Sequence, residues 1–307
     1  MNQLSVQFQS SGDLLADRRF EWARDCEAKG DFAGAADLLA QALERAPSYA
    51  SAWFVLGEVR EKLGDRAGSV EAFRKAAEAD PGDRHGAALH LIRLGASPPR
   101  GMPQNYVRGL FDGYASSFDR ALQDGLSYSA PTLLRDAVRT ARGGRIGSML
   151  DLGCGTGLAG EVFRPLVDWL VGVDLSGGML AQARCKGLYD RLVEADVLQF
   201  LAQEKLSGAP YHVIVAADVF VYLDDLRPVL HAMADVAAPQ GLVAFTVETH
   251  DGDGVILRDT LRYAHGGTHV REAIAAAGLE LMRLDHASTR TEKKQPVPGL
   301  LALADRR

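Results

Sequence analysis

The spacing of apolar residues changes character along this chain. Over residues 14–95 apolar and small residues fall at helical spacing. From 104 onward Tyr106, Leu110, Phe111, Tyr114, Phe118 and Leu122 recur at three- and four-residue steps, which predicts an amphipathic helix with a break near Gly113. Past residue 145 the pattern becomes short apolar runs separated by helical stretches. Strands are predicted at 146–152, 169–173, 191–195, 212–216 and 241–248, with helices notably at 224–237 and 269–277. Two last strands are predicted at 279–288 and 298–304. The proline-rich stretch 96–103 fits neither a helix nor a central strand and reads as a linker. The chain is therefore all-α in front and α/β behind, with a flexible 1–13, a helical domain over 14–95 and a second domain over 104–307.

The front half repeats itself. Lys29, Gly30, Asp31, Ala33 and Gly34 are echoed 34 residues later by Leu63, Gly64, Asp65, Ala67 and Gly68. The same offset pairs Leu39 with Phe73, Ala42 with Ala76 and Pro47 with Pro81. Gly30 and Gly64 suit a helix C′ position, where positive φ is required. The prolines close each unit, because proline cannot sit inside a helix. Trp22 and Cys26 are expected in the core of the first helix, and Trp53, Leu56 and Gly57 give the large-small pattern of the third. The echo resembles tetratricopeptide repeats, about two and a half of them. Such repeats imply a groove for a protein partner, a self-association surface, or a wall for the neighbouring domain.

Composition narrows the functions available. The 307 residues carry 34 Lys+Arg and 40 Asp+Glu, a net charge of -6. The split at the proline-rich stretch leaves 12 basic and 15 acidic residues in front and 22 and 25 behind. Neither part has the basic excess that counterion release from a nucleic acid requires. Cys26, Cys154 and Cys185 form no CxxC pair, so no disulfide framework or structural zinc is expected. No secretory leader or membrane span is predicted, and a cytoplasmic protein is expected.

The chemistry concentrates after the first strand. Asp151, Gly153, Cys154, Gly155 and Gly157 form a loop between a buried strand and a helix, and the next strand ends at Asp174. Glycines let a ligand approach bare backbone, and a carboxylate at the second strand tip can accept ribose hydroxyls. Two registers compete. Gly155-x-Gly157-x-x-Gly160 satisfies the dinucleotide fingerprint of a nicotinamide-dependent oxidoreductase. In the other register Asp151 precedes Gly153-x-Gly155-x-Gly157. A carboxylate there repels a pyrophosphate but suits the ammonium of S-adenosylmethionine. This second register resembles motif I of class I S-adenosylmethionine-dependent methyltransferases.

The resemblance implies a Rossmann-like seven-stranded sheet with a terminal antiparallel hairpin. It places Asp174, Leu175 and Met179 beside the ribose, Asp196 and Val197 at the adenine, and Asp218 and Val219 beside the methyl group. Phe111, Ala115, Phe118 and Asp119 look like the leading helix of the ubiquinone-type and malonyl-carrier-protein methyltransferases, which makes Tyr106, Tyr114 and Phe118 lid residues. The family builds its acceptor pocket near Arg262, Tyr263 and His265, although His265 also reads as a solvated loop histidine. Arg290, Lys293 and Lys294 read as a solvated hairpin tip. His250, Asp251 and Asp253 fail as a calcium loop, because Arg262 stands where a Glu belongs; no metal is expected. The implied reaction is methyl transfer to a small-molecule acceptor, leaving S-adenosylhomocysteine, with no catalytic residue assigned. The alternative is a scaffold or protein methyltransferase whose repeats recruit a partner.

Overall fold

The computed structural model describes residues 9–115, 118–120 and 127–307; Leu122 of the leading-helix pattern lies outside them. Two units divide the chain, one through Gly109 and the other Leu110–Arg307.

The first unit is helical: α1 (Leu14–Ala28), α2 (Phe32–Arg45), α3 (Ala50–Lys62), α4 (Arg66–Ala79) and α5 (Ala87–Arg93). The sequence echo has a physical basis. Asp31 and Asp65 cap α2 and α4, accepting the amides of Gly34 and Gly68 at 2.9 Å each. A Cβ on Gly34 or Gly68 would lie 2.3 or 2.0 Å from the capping carboxylate, so the cap and the glycine are one device. Gly30 and Gly64 take φ of +81° and +79° just past the helix ends. Trp22 departs from expectation. The buried stripe of α1 is Ala16, Phe20, Ala23 and Glu27, and two residues beyond Phe20 the helix has turned about 200°, leaving Trp22 50% exposed. Cys26 is only partly buried.

α6 (Gln104–Tyr114) ends one residue past Gly113, where a break is predicted, and α7 (Phe118–Arg120) and α8 (Ala130–Ala141) follow. The sheet is then laid down in βα order: β1 (Ile146–Leu152), α9 (Leu158–Phe163), β2 (Val167–Asp174), α10 (Gly177–Lys186), β3 (Arg191–Glu194), α11 (Val197–Ser207), β4 (Tyr211–Ala216), α12 (Arg227–Val236) and β5 (Ala237–Glu248). The remaining elements are β6 (Val255–Leu257), β7 (Tyr263–His265), α13 (Gly267–Ala276), β8 (Leu279–His286), β9 (Thr291–Glu292), β10 (Gln295–Pro296) and β11 (Gly299–Arg306).

Strand order is β3-β2-β1-β4-β5-β11-β8. The first five strands run parallel, and β11 inserts antiparallel between β5 and β8. This is the Rossmann-like seven-stranded order with its terminal hairpin. The short β6 and β7 extend the sheet beside β5, where the sequence reads as loop. Met149, Leu150 and Leu152 of β1 are fully buried and feed cores on both faces, which is why the central strands read as continuous apolar runs.

Candidate active site

The order β2-β1-β4 reverses direction of winding at β1, and a crevice opens there above the C-terminal strand ends. The glycine loop lies on its floor. Gly153, Gly155 and Gly157 have φ of +62°, +55° and +93°. A Cβ on Gly153 would strike Val219 at 2.5 Å, whereas on Gly155 the nearest atom is Phe118 Cε1 at 3.9 Å. Gly155 therefore leaves room for no more than ordinary contact with the Phe118 ring. Gly160, the third glycine of the dinucleotide register, is closed off by the Tyr189 ring 2.8 Å from its Cβ position.

Asp151 is 1% exposed. Its Oδ2 accepts the Tyr189 hydroxyl at 2.6 Å, and its Oδ1 is buried with no hydrogen-bond partner. Burial raises its pKa to about 7, against the Tyr189 hydrogen bond and with help from the nearby Asp174 charge. This carboxylate is therefore buried with half of its hydrogen-bonding capacity unmet. Asp174 is fixed by the amides of Gly155 (2.9 Å) and Ser176 (2.8 Å), one to each oxygen, and by the Leu175 amide. Burial raises its pKa as well. Met179 is fully buried and Leu175 partly exposed. Asp196 caps α11, its Oδ1 accepting from Leu198 and Gln199, and Val197 opens that helix. Burial pushes the Cys154 thiol well above the usual cysteine range.

The leading segment is pinned over this floor. Asp112 accepts the Ser176 hydroxyl and the Gly178 amide. Asp119 accepts the Thr156 hydroxyl and pairs with Lys186 at 2.7 Å. Phe111 meets Phe118 and Tyr222 edge-on, with ring centroids 6.0 and 5.5 Å apart. Tyr114 is half-buried in the same unit. Tyr106 belongs to the first unit, where its ring covers Gly86, 2.8 Å from a Cβ built there.

Asp218 follows β4 with φ of +57°, unusual for a residue with a side chain. The backbone is held there by a network. The Asp218 amide donates to Thr246 Oγ1 at 2.9 Å, while its carboxylate accepts Thr246, Thr289 and Arg290 at 3.0–3.1 Å. Arg290 also pairs with Glu248 and with Glu292. This corrects the hairpin-tip reading: Arg290 is 3% exposed, whereas Lys293 and Lys294 do lie exposed at the β9–β10 turn. The three carboxylates offset the cost of taking this guanidinium out of water.

Arg262 pairs with Glu292 at 3.2 Å and Glu248 at 3.7 Å, and Tyr263 is fully buried. His265 is likewise fully buried on β7, its Nε2 3.3 Å from the Phe220 carbonyl oxygen, which rules out a solvated loop histidine. Burial pushes its pKa down to about 4, so it is neutral at pH 7. Among the described residues no group of three or more side chains is arranged to hold a metal. Tyr189 and Asp112 carry no motif or period of their own, and only folding brings them to the loop and its neighbours; Asp119 is already part of the leading-helix pattern.

A tetratricopeptide-repeat model matches residues 20–84, and a methyltransferase-domain model matches 150–243. Over 174 residues the chain is 34% identical to methyltransferase-like protein 27 of Homo sapiens, covering 55% of this chain and 69% of that protein. It is 27% identical over 167 residues to a ubiquinone biosynthesis O-methyltransferase of Klebsiella pneumoniae, covering 52% and 67%. Magnesium protoporphyrin IX methyltransferase from Synechocystis, solved with bound SAH, shares the fold at 16% identity and a TM-score of 0.50, over 66% of this chain and 99% of that one. The chain belongs to the class I S-adenosylmethionine-dependent methyltransferases, with a tetratricopeptide region in front. Its reaction is methyl transfer from S-adenosylmethionine.

Proposed function

We propose that the acceptor is a small molecule and that the residues around the β1/β4 crevice bind and shield it. The observation that carries this reading is the aromatic trio Phe111, Phe118 and Tyr222 beside the glycine loop. Aromatic walls with few free charges suit a compact, largely apolar ligand. The charged residues nearby pair off, Asp218, Glu248 and Glu292 against Arg258, Arg262 and Arg290. The near-equal acidic and basic counts of the whole chain argue against a nucleic acid in the same direction.

When bound, the cofactor supplies an electrophilic sulfonium methyl with a neutral thioether as leaving group. Asp151 receives the ammonium, Asp174 the ribose hydroxyls, Asp196 and Val197 the adenine edge. Gly155 gives the cofactor room to lie against backbone. The leading segment, tied down at Asp112 and Asp119, excludes water and fixes the line of approach. Asp218 is not the base: its oxygens are taken up by Thr246, Thr289 and Arg290. It acts as a positioning residue, with Arg262, Tyr263 and His265 supporting the wall behind it.

The test is incubation of the full chain with methyl-tritiated S-adenosylmethionine and a cell extract, followed by separation by size. A labelled species below about 1 kDa that separates from S-adenosylmethionine by reversed-phase chromatography and is absent from a no-enzyme control is the expected result. Label confined to protein would instead favour recruitment through the repeats, and label in RNA would refute the charge argument.

A further inference from the structure

The acid that opens the glycine loop has a partner no motif announces. Tyr189 stands just before β3, and its hydroxyl donates to Asp151 Oδ2 at 2.6 Å while accepting the Gly160 amide at 3.2 Å. With that amide donating to it, the hydroxyl has its own proton committed to the carboxylate. Asp151 Oδ1, buried with no hydrogen-bond partner, is then the oxygen left for a ligand.

The ring has a seat made by three elements. A Cβ on Gly157, Gly160 or Gly172 would lie 3.0, 2.8 or 2.8 Å from it, so glycine in the loop, in α9 and in β2 makes the room it fills. Both flanks of the tyrosine are tied down as well. Arg164, after α9, donates to the Leu188 carbonyl at 3.3 Å and pairs with Asp190 at 2.6 Å, and Asp190 accepts the Leu170 amide at 2.7 Å. Gly160, which completes the dinucleotide fingerprint in the sequence, therefore serves as the seat of a tyrosine. The ionisable groups acting on Asp151 are Tyr189, Asp174 at the end of β2, Cys154 in the loop and Tyr128 ahead of α8, and none of these four is a cation. Burial pushes the Tyr189 hydroxyl well above its usual range, so it stays a donor.

We propose that Tyr189 is a positioning residue of the cofactor site: its hydroxyl holds Asp151 Oδ2 so that Oδ1 meets the ammonium of the cofactor. A hydrogen bond donated to a carboxylate favours its ionised form. The same contact therefore keeps Asp151 available as an anion at neutral pH, against the burial that would protonate it. Tyr189 acts on the ligand only through Asp151. The proposal rests on the cofactor assignment above, and the experiment separates the two.

Isothermal titration of the full chain with S-adenosylhomocysteine from pH 6 to 9, wild type against Tyr189→Phe, reads the contact. The variant keeps the ring and its seat and removes only the hydroxyl. Loss of a hydrogen bond to a charged group moves the ionisation of its acceptor by about one to two pH units. Wild type should therefore bind about five- to fiftyfold more tightly than Tyr189→Phe at pH 7, and the two should agree within about twofold at pH 9. The ligand amine titrates alike with both proteins and cancels in the ratio. Proton release on binding at pH 7, read from titrations in buffers of different ionisation enthalpy, should rise from about half a proton in wild type to nearly a whole one in the variant. A packing defect would weaken binding equally at every pH and leave proton release unchanged. A ratio that does not change with pH overturns the proposal, whether affinity is lost throughout or not at all. Absence of binding to the wild-type chain across this range overturns the cofactor assignment instead.

Discussion

Asp151 ties cofactor affinity to pH with a definite sign. In the unliganded chain its carboxyl is pushed from 3.8 to about 7 by burial, while the ligand ammonium requires the ionised form. With a group that titrates near 7, about nine-tenths of the chains are ionised at pH 8 and about one-tenth at pH 6. The affinity for S-adenosylhomocysteine should therefore fall about tenfold between pH 8 and pH 6. Stability moves the opposite way. The folded chain holds the Asp151 proton up to about pH 7, whereas the unfolded chain releases it near 3.8, so the native state binds more protons throughout that window. Unliganded stability should fall as pH rises from 4 to 7, by about 4 kcal/mol in all if this group acts alone. Asp151→Asn removes the ionisation: it should melt no lower than wild type at pH 8 while binding S-adenosylhomocysteine about 30-fold or more weakly, the loss of a buried charge pair. Calorimetric titration from pH 6 to 8, with melting curves at the same points, reads both effects. Affinity that varies less than twofold over that range, or Asp151→Asn that binds normally, would refute the assignment.

Gly155→Val should abolish detectable cofactor binding by calorimetry, because the side chain stands between the loop backbone and Phe118 where the cofactor is proposed to lie, and the φ of +55° disfavours it by about 1–2 kcal/mol. Asp174→Ala should weaken S-adenosylhomocysteine by about 1–3 kcal/mol, the price of unmet polar groups on both ligand and loop, read in the same titration. Arg290→Gln leaves Asp218 and Glu248 without their buried partner and should destabilise the second unit by about 3–5 kcal/mol, which scanning calorimetry registers as a drop of about 10 °C in its transition. Gly57→Val drives a Cβ to within 2.6 Å of the Phe73 ring; it should destabilise the first unit by about 1–3 kcal/mol, and trypsin digestion should then cut preferentially before residue 95.

Most of the fold is legible from period alone, because parallel strands buried on both faces leave apolar runs and repeats leave an offset. The site divides by the kind of interaction involved. Gly155, Asp151 and Asp174 are adjacent to strand ends, and position along the chain places them on the crevice floor. Arg290 is misread because its neighbours in sequence, Lys293 and Lys294, are solvated. Its true neighbours Asp218 and Glu248 are 72 and 42 residues distant. Tyr189 is a single residue just before a strand, with no period to mark it. Trp22 shows the converse error: size suggests burial, but helical phase, set by Phe20 and Ala23, decides it.

The position of β11 fixes an order of assembly. This strand lies between β5 and β8, so no nascent segment that stops before Gly299 can close the sheet, and until then the inward edge of β5 has no partner on that side. The helical repeats make contacts between sequence neighbours and can fold while still tethered to the ribosome; the sheet waits for pairings of high sequence separation. During synthesis a folded repeat unit therefore precedes an unfinished sheet with an exposed β5 edge, and that interval is when the chain is most open to chaperone capture or to pairing with another copy.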